Sequence, residues 1–588
     1  MNVLGISSFY HDSAVCLLRD GALICGIEEE KLSRVKHDKR FPILALRFCL
    51  DRAKIDIQDI DVVAFYENPE KKMSRQIWMG LREGASPEMR KKMLRGLDPG
   101  RELRHIREVA GYDGPVDFVD HHQAHAASSY FFSGFSESAI MTFDGVGEWA
   151  TATYGYAKDH AIDLFEEVHF PHSIGLLYST VTSYLGFDVN DGEYKVMGLA
   201  PYGTPRYVDR IQDLVSLGEG GQFRLNLEYF DFLDGEQMYS QRFVDHFGRS
   251  ARTPESELEE FHNDMARSLQ VVLEDILLQK AKYVHQRTGS DHLCMAGGVA
   301  LNCVANAHVL RKGPFRELFV QPAASDAGGA LGAAALVHAR RTGARPTGER
   351  MKEIYLGPSS STSEIAVLLR STGLRALDFT SNLDALLNAV VDRLVAGKVI
   401  GWFSGPTEFG PRALGARSIL GDPRDPEMRD RINALVKMRE AFRPFAPAVL
   451  ENEAARHFDI NHPSPFMLET CQVISKLELP AVTHVDGSAR VQTVDLGQGG
   501  RFAQLLQRFN ERTQCPILLN TSFNVRGEPI VCSPEDALLC FARSRIDALV
   551  LEDFVIDRDV LPPHWELAAE HIPIKRGRAV SHKVYEMF

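Results

Sequence analysis

The chain opens with short apolar runs at residues 3–8, 14–18 and 22–27, and Asp20-Gly21 lies between the last two. Runs of this length, punctuated by a turn dipeptide, predict three strands with the second and third joined as a hairpin. The pattern returns at residues 139–143, 150–156 and 162–168, with Asp144-Gly145-Val146-Gly147-Glu148 as its first turn. Two copies of strand–turn–strand–turn–strand, separated by helical material, predict a duplicated α/β core of two lobes rather than a solenoid.

Residues 258–288 carry apolar positions near helical spacing and predict one long amphipathic helix. A strand-like run at 292–295 leads into Gly297-Gly298, and the small residues of 328–335 predict the start of a tightly packed helix. The stretch 340–352 is polar, with Gly343, Pro346 and Gly348, and reads as a link. A second α/β region follows from about Ile354, so the expected division is 1–352 and 353–588; the tail after Leu561 carries little signal.

A length of 588 residues agrees with two domains, because it exceeds what one core ordinarily serves. The net charge of −13 argues against nucleic acid as the main partner, and an anionic substrate would need a local basic pocket. Nine cysteines are scattered singly with no CxxC pair, which disfavours a disulfide framework and a zinc–thiolate site. No run approaches the ~20 apolar residues that span a bilayer, and the first residues lack a signal-peptide pattern, so a cytoplasmic enzyme is expected. No coiled-coil pattern stands out, and a homodimer is left open.

Two groups of residues carry chemistry. In the first, His121 and His125 are four apart, so on a helix they share a face that suits two imidazoles on one metal. Asp144 stands at a strand end before a Gly-rich turn, where Gly145 and Gly147 allow close backbone approach to a phosphate. Asp326 precedes another helix start. Two His and two Asp form a sulfur-free set suited to iron(II), manganese or zinc. Taken singly, each histidine also reads as a core or capping residue and each carboxylate as an N-cap. Gly297, Gly298 and Asn302 lie between a strand and a helix and read as a phosphate or nucleoside cradle. Lys195 is either a phosphate ligand or a snorkelling lysine.

The second group sets Arg412, Lys437, Arg443, Arg490, Asn520 and Arg526 among Gly, Pro and aromatic residues. Arginine forks and a lysine point charge fit a phosphate-rich ligand, with surface ion pairs as the plainer reading.

Several long motifs stand in order along essentially the whole chain. They are Tyr10-His11-Asp12-Ser13-Ala14, His121-His122-Gln123-Ala124-His125, Asp144-Gly145-Val146-Gly147-Glu148, the run from Gly192 to Gly203, Phe409-Gly410-Pro411-Arg412-Ala413-Leu414-Gly415, Phe442-Arg443-Pro444-Phe445-Ala446-Pro447 and Asn520-Thr521-Ser522-Phe523-Asn524. With these the sequence resembles the O-carbamoyltransferases of the nodulation-factor and cephamycin type, a group that includes antibiotic-tailoring enzymes. The resemblance implies an N-terminal actin/sugar-kinase-like ATPase fold and a C-terminal YrdC-like domain. It implies that Mg-ATP and carbamoyl phosphate form carbamoyladenylate in the C-terminal domain. The carbamoyl group then passes in the N-terminal domain to a hydroxyl, or an amine, of a small-molecule natural product. It places the metal, expected to be iron(II), on His121, His125, Asp144 and Asp326, and the anion-binding groups on Arg412, Lys437, Arg443, Arg490, Asn520 and Arg526. It sets His11, joined by His37, near the acceptor. The competing readings are a threonylcarbamoyl-type tRNA-modifying enzyme and a catalytically idle nucleotide sensor on the same fold; the acidic balance and the fused C-terminal domain argue against tRNA.

Overall fold

Strand β1 (Asn2–Ser7) pairs antiparallel with β2 (Ala14–Arg19), and β2 pairs antiparallel with β3 (Ala22–Glu28). On its other side β1 pairs parallel with β4 (Val62–Phe65), which pairs parallel with β5 (Val116–Phe118). All four residues of β4 are buried, as a parallel strand covered on both faces requires. This computed structural model describes residues 1–95, 97–234, 237–346, 348–437, 440, 442–575 and 585.

The second sheet repeats the first. β6 (Glu137–Phe143), β7 (Ala150–Lys158) and β8 (Ala161–His169) form the antiparallel part. β9 (His292–Ala296) and β10 (Glu317–Val320) add in parallel beside β6. The order β8-β7-β6-β9-β10 matches β3-β2-β1-β4-β5 strand for strand and direction for direction. The duplication expected from the turn pattern is therefore present as two copies of one five-stranded α/β unit.

Four helices matter for the site: α1 (His121–Tyr130), α2 (Glu193–Leu199), α3 (Glu260–Thr288) and α4 (Asp326–Thr342). The long helix anticipated at 258–288 is α3, closed by Gly289 in the left-handed conformation. The small-residue helix starts at Asp326, and it runs through residues 340–342, so the polar stretch begins as helix rather than link. Gly343, at φ 66°, ends it. A Cβ on Gly332 of α4 would overlap the Ala124 carbonyl of α1, and one on Gly5 of β1 would overlap the Ala330 carbonyl of α4. Glycine at both places lets α4 lie backbone to backbone against α1 and β1. That packing fixes the first turn of α4, with Asp326, beside the histidines of α1.

The chain divides into two compact units. One comprises Met1–Glu29, His37–Met351 and Arg578–Phe588, in which Tyr585 is the described residue of the last segment; the other comprises Glu30–Lys36 and Lys352–Gly577. The second unit is also α/β. Its strands are β11 (Leu377–Asp378), β12 (Ile400–Phe403), β13 (Arg417–Gly421), β14 (Ala446–Leu450), β15 (Gln492–Val494), β16 (Ile517–Ser522), β17 (Ala548–Leu551) and β18 (Phe554–Asp557). They form one mixed sheet in the order β11-β18-β17-β12-β13-β16-β14-β15. The segment from Glu30 belongs to this unit through Lys31, which is buried and donates to the carbonyls of Glu408 (2.6 Å) and Gly410 (2.9 Å). Arg34 donates to the carbonyls of Ile530 (2.6 Å) and Pro529 (2.9 Å) and pairs with Asp536 (3.2 Å). Among the described residues no helix is long and apolar enough to cross a membrane.

Candidate active site

His121 and His125 occupy one face of α1, as their spacing predicts, and both are buried. Their Nε2 atoms lie 3.0 Å apart. The Asp144 Oδ2 is 3.0 Å from His121 Nε2 and 3.2 Å from His125 Nε2; the Asp326 Oδ1 is 3.6 Å and 3.9 Å from the same atoms. One ligand atom from each of the four residues falls within 4.8 Å of all the others.

Asp144 stands at the end of β6, and its two oxygens face different partners. Oδ1 accepts the amides of Gly145 (2.8 Å) and Gly298 (3.3 Å), which leaves Oδ2 directed at the histidines. Glu148, four residues on, accepts the amide of His121 at 2.9 Å and that of Asn68 at 2.7 Å, which holds the first turn of α1. Burial, then the neighbouring Glu67 carboxylate, pushes Glu148 up to about 7.

The residues present fit a divalent cation. Without one, burial works against charge on His121, but the Asp144 hydrogen bond and the Asp326 carboxylate outweigh it and raise the imidazole to about 9. Burial and the charge on His121 then push His125 down, while burial drives Asp326 up to about 7. His121 Nδ1, His125 Nδ1 and Asp326 Oδ2 are buried with no hydrogen-bond partner among the described residues. Four buried ligand atoms, His121 Nε2, His125 Nε2, Asp144 Oδ2 and Asp326 Oδ1, converge with the two imidazole nitrogens facing each other, and one cation would engage all four. A nitrogen and oxygen set without sulfur suits zinc, manganese or iron(II).

His11 and His37 meet at Asp12, a residue in the left-handed conformation (φ 55°). His11 Nδ1 is 3.0 Å from Asp12 Oδ2 and His37 Nδ1 is 2.9 Å from Asp12 Oδ1. Ser325, immediately before Asp326, donates to Asp12 Oδ2 at 3.2 Å, so the paired histidines are tied to the four-residue cluster. Burial opposes charge on His11, yet Asp12 overrides it and holds the imidazole at about 9.

The remaining candidates in this unit are placed as follows. The amide of Gly147 donates to the Ala150 carbonyl (2.9 Å) and that of Gly297 to the Ala324 carbonyl (2.9 Å), so these donors are spent within the loops around Asp144. Asn302 caps the helix Cys303–Lys312 by accepting from Ala305, and it exchanges hydrogen bonds with Gln270. Lys195 is buried on α2, its ammonium 5.7 Å over the Phe187 ring.

In the second unit the sheet collects the cations. The start of β13, the end of β16, the start of β14 and the start of β15 lie at one end of four adjacent strands, because β13 and β14 run antiparallel to β16, and β15 runs parallel to β14. Arg412 lies in the loop before β13, Arg443 precedes β14, Arg490 precedes β15 and Arg526 follows β16. Asn520, buried on β16, donates to the Ala413 carbonyl (3.2 Å) and to Gln492 Oε1 (2.8 Å), which ties the Arg412 loop to β15. Arg443 pairs with Glu440 at 3.6 Å, and Arg526 is exposed. The side chain of Lys437 lies outside the described residues. Arg417, the first residue of β13, is fully buried, stacks on Phe403 at 3.6 Å and donates to the carbonyls of Gly405, Ala416, Pro358 and Cys532. It organises the loop rather than a ligand.

Sequence reasoning missed Asp12, Glu148, Ser325 and Tyr585. Asp12 carried a signal, since it adjoins His11; Tyr585 carried none.

The sequence matches the family described as "Carbamoyltransferase N-terminus" over residues 2–335 and that described as "Carbamoyltransferase C-terminus" over residues 391–558. The chain belongs to the carbamoyltransferase family, and it is an enzyme of the transferase class. It is 43% identical to the uncharacterized protein sll1178 of Synechocystis sp., across 95% of this chain and 97% of that one. It is 37% identical to nodulation protein NolNO of Sinorhizobium fredii, across 96% of this chain and 82% of that one. It is 38% identical to nodulation protein NolO of Bradyrhizobium diazoefficiens, across 77% and 82%.

Proposed function

We propose that this carbamoyltransferase works in two half-reactions, activation within residues 353–588 and transfer within residues 1–352. In the first, water cleaves carbamoyl phosphate to carbamate and inorganic phosphate, and a carbamate oxygen attacks the α-phosphorus of Mg-ATP. The new oxygen–phosphorus bond forms as the bond to the β-phosphate bridge breaks, which releases pyrophosphate and leaves carbamoyladenylate. Arg412, Lys437, Arg443, Arg490, Asn520 and Arg526 bind the phosphates and neutralise the charge that develops in this displacement. Their support is the sheet register that sets Arg412, Arg443, Arg490, Asn520 and Arg526 at one end of four adjacent strands.

In the second half-reaction a hydroxyl, or an amine, of a small-molecule natural product attacks the carbamoyl carbon, and AMP leaves with the electrons of the broken carbon–oxygen bond. His11 takes the acceptor proton on Nε2, because Asp12 engages Nδ1 and fixes the ring. His37 braces Asp12 from its other oxygen. A divalent cation, for which the family resemblance favours iron(II), would be held by His121, His125, Asp144 and Asp326 and would supply Lewis-acid polarisation of the carbamoyl carbonyl. Gly145, Gly147, Gly297, Gly298, Asn302 and Lys195 are assigned to the nucleotide portion of the intermediate, the glycines by close backbone approach, since their amides are engaged within the protein. The dependence on ATP and carbamoyl phosphate points to the cytoplasm.

The observation that carries this reading is the convergence of the four buried ligand atoms within 4.8 Å in a member of the carbamoyltransferase family. The test is turnover without acceptor in the presence of ATP, carbamoyl phosphate, Mg²⁺ and Fe²⁺. Pyrophosphate that appears only with carbamoyl phosphate, together with carbamoyladenylate by mass spectrometry, is the expected result. Pyrophosphate formation indifferent to carbamoyl phosphate would overturn the activation step.

A further inference from the structure

Tyr585 is buried in the first unit, 6% exposed. Its hydroxyl lies against the Cα of Gly145, so closely that a Cβ at that position would overlap both the phenol oxygen and the ring carbon that bears it. Gly145 follows Asp144 directly and donates its amide to Asp144 Oδ1. The Tyr585 ring packs on that of Tyr10, centroid to centroid 5.9 Å, and Tyr10 in turn packs on His11 at 5.0 Å. The Tyr585 main-chain nitrogen meets Met238 Sδ at 3.2 Å, which anchors the residue from behind. A phenol near the end of the sequence thus stands between the metal-ligand loop and the histidine assigned to the acceptor proton.

We propose that Tyr585 is a wall of the carbamoyl-transfer centre that keeps water from the activated carbamoyl group until an acceptor binds. The proposal rests on the two-step reading given above. Carbamoyladenylate is a mixed anhydride, and water competes with any acceptor for its carbonyl carbon. Attack by water forms a carbon–oxygen bond, breaks the bond to the adenylate oxygen and releases AMP; the proton passes to solvent, and the carbamic acid decays to carbon dioxide and ammonia. An enzyme that delivers the group to an alcohol must exclude that reaction sterically, since water and alcohol are attacking groups of the same kind. An aromatic ring with a single hydroxyl suits this role, since it fills space at low conformational cost and presents one polar atom toward the site.

The experiment follows one turnover with enzyme in excess over ATP, in the presence of carbamoyl phosphate, Mg²⁺ and Fe²⁺ and without acceptor. Decay of carbamoyladenylate to AMP is compared in wild type, Tyr585→Ala, Tyr585→Phe and Gly145→Ala. The last variant places a methyl group where the phenol oxygen sits and displaces the ring without deleting it. Tyr585→Ala and Gly145→Ala are expected to hydrolyse the intermediate about tenfold faster or more, and Tyr585→Phe, which keeps the ring, to fall below Tyr585→Ala. A second reading needs no turnover: a chelator such as EDTA is expected to strip Fe²⁺ severalfold faster from loaded Tyr585→Ala than from loaded wild type. Wild-type enzyme that makes no carbamoyl-phosphate-dependent pyrophosphate overturns the two-step reading and this proposal with it. A working wild type whose folded variants hydrolyse the intermediate no faster overturns the proposal alone. So does a Tyr585→Ala enzyme that only turns over acceptor faster, which would make the phenol a plug in the acceptor's place.

Discussion

His121 and His125 point their Nε2 atoms at each other across 3.0 Å, one helical turn apart, with the Asp144 Oδ2 in contact with both. Two like imidazole nitrogens held this way in a buried site are stable only with a proton or a cation between them. Purified protein is expected to bind one divalent ion per chain. His125→Ala and Asp144→Asn are each expected to weaken that binding by about 100-fold or more, read by competition with a chromophoric chelator. Equal affinity in wild type and His125→Ala would remove the cluster from consideration as a metal centre. His125→Ala is also expected to spare pyrophosphate formation and abolish transfer.

Asp12 sets the charge state of His11. The folded-state imidazole, raised to about 9, is protonated at neutral pH, and its contribution to stability is lost as pH rises through about 9. As a base it acts only when neutral, so the rate of transfer is expected to climb with pH through about 9. Asp12→Asn removes the carboxylate charge, and the limb of the profile is expected to move to lower pH as the maximal rate falls. A profile unchanged by Asp12→Asn would show that His11 does not govern it.

Arg443 and Arg417 make a contrast between chemistry and architecture. Arg443→Ala is expected to lower carbamoyl-phosphate-dependent pyrophosphate formation by at least about 100-fold with little change in melting temperature. Arg417→Ala strands several buried carbonyls and empties the face of Phe403, so a stability loss on the order of 3 kcal/mol is expected in denaturant titration. If Arg417→Ala folds as well as wild type but fails only in activation, Arg417 is a ligand and its structural assignment is mistaken.

Much of the first unit was legible because its strands are bounded by strong local signals. Asp20-Gly21 and the turn after Asp144 punctuate the two copies, and the four-residue spacing of His121 and His125 survives into α1 unchanged. What stayed hidden depends on packing between distant segments. Asp12 gains its partners only when residue 37 and residue 325 reach it, and Glu148 caps α1 across 27 positions of sequence. The Gly-rich loops read as phosphate cradles, yet a sequence does not say that the amide of Gly147 is already spent on Ala150. In the second unit the cationic motifs were visible, but the sheet order that sets them side by side was not, since β13, β16, β14 and β15 are adjacent in space and not in order.

The short segment from Glu30 to Lys36 has a consequence for how this enzyme is made. Lys31 leaves the ribosome early, yet the carbonyl it binds at Glu408 is 377 residues further along, and Tyr585 comes later still. The two units therefore cannot be finished one after the other as beads on a string. A gene divided between them yields one fragment without Lys31 and another without Tyr585, so each unit draws a part of itself from the far side of the division.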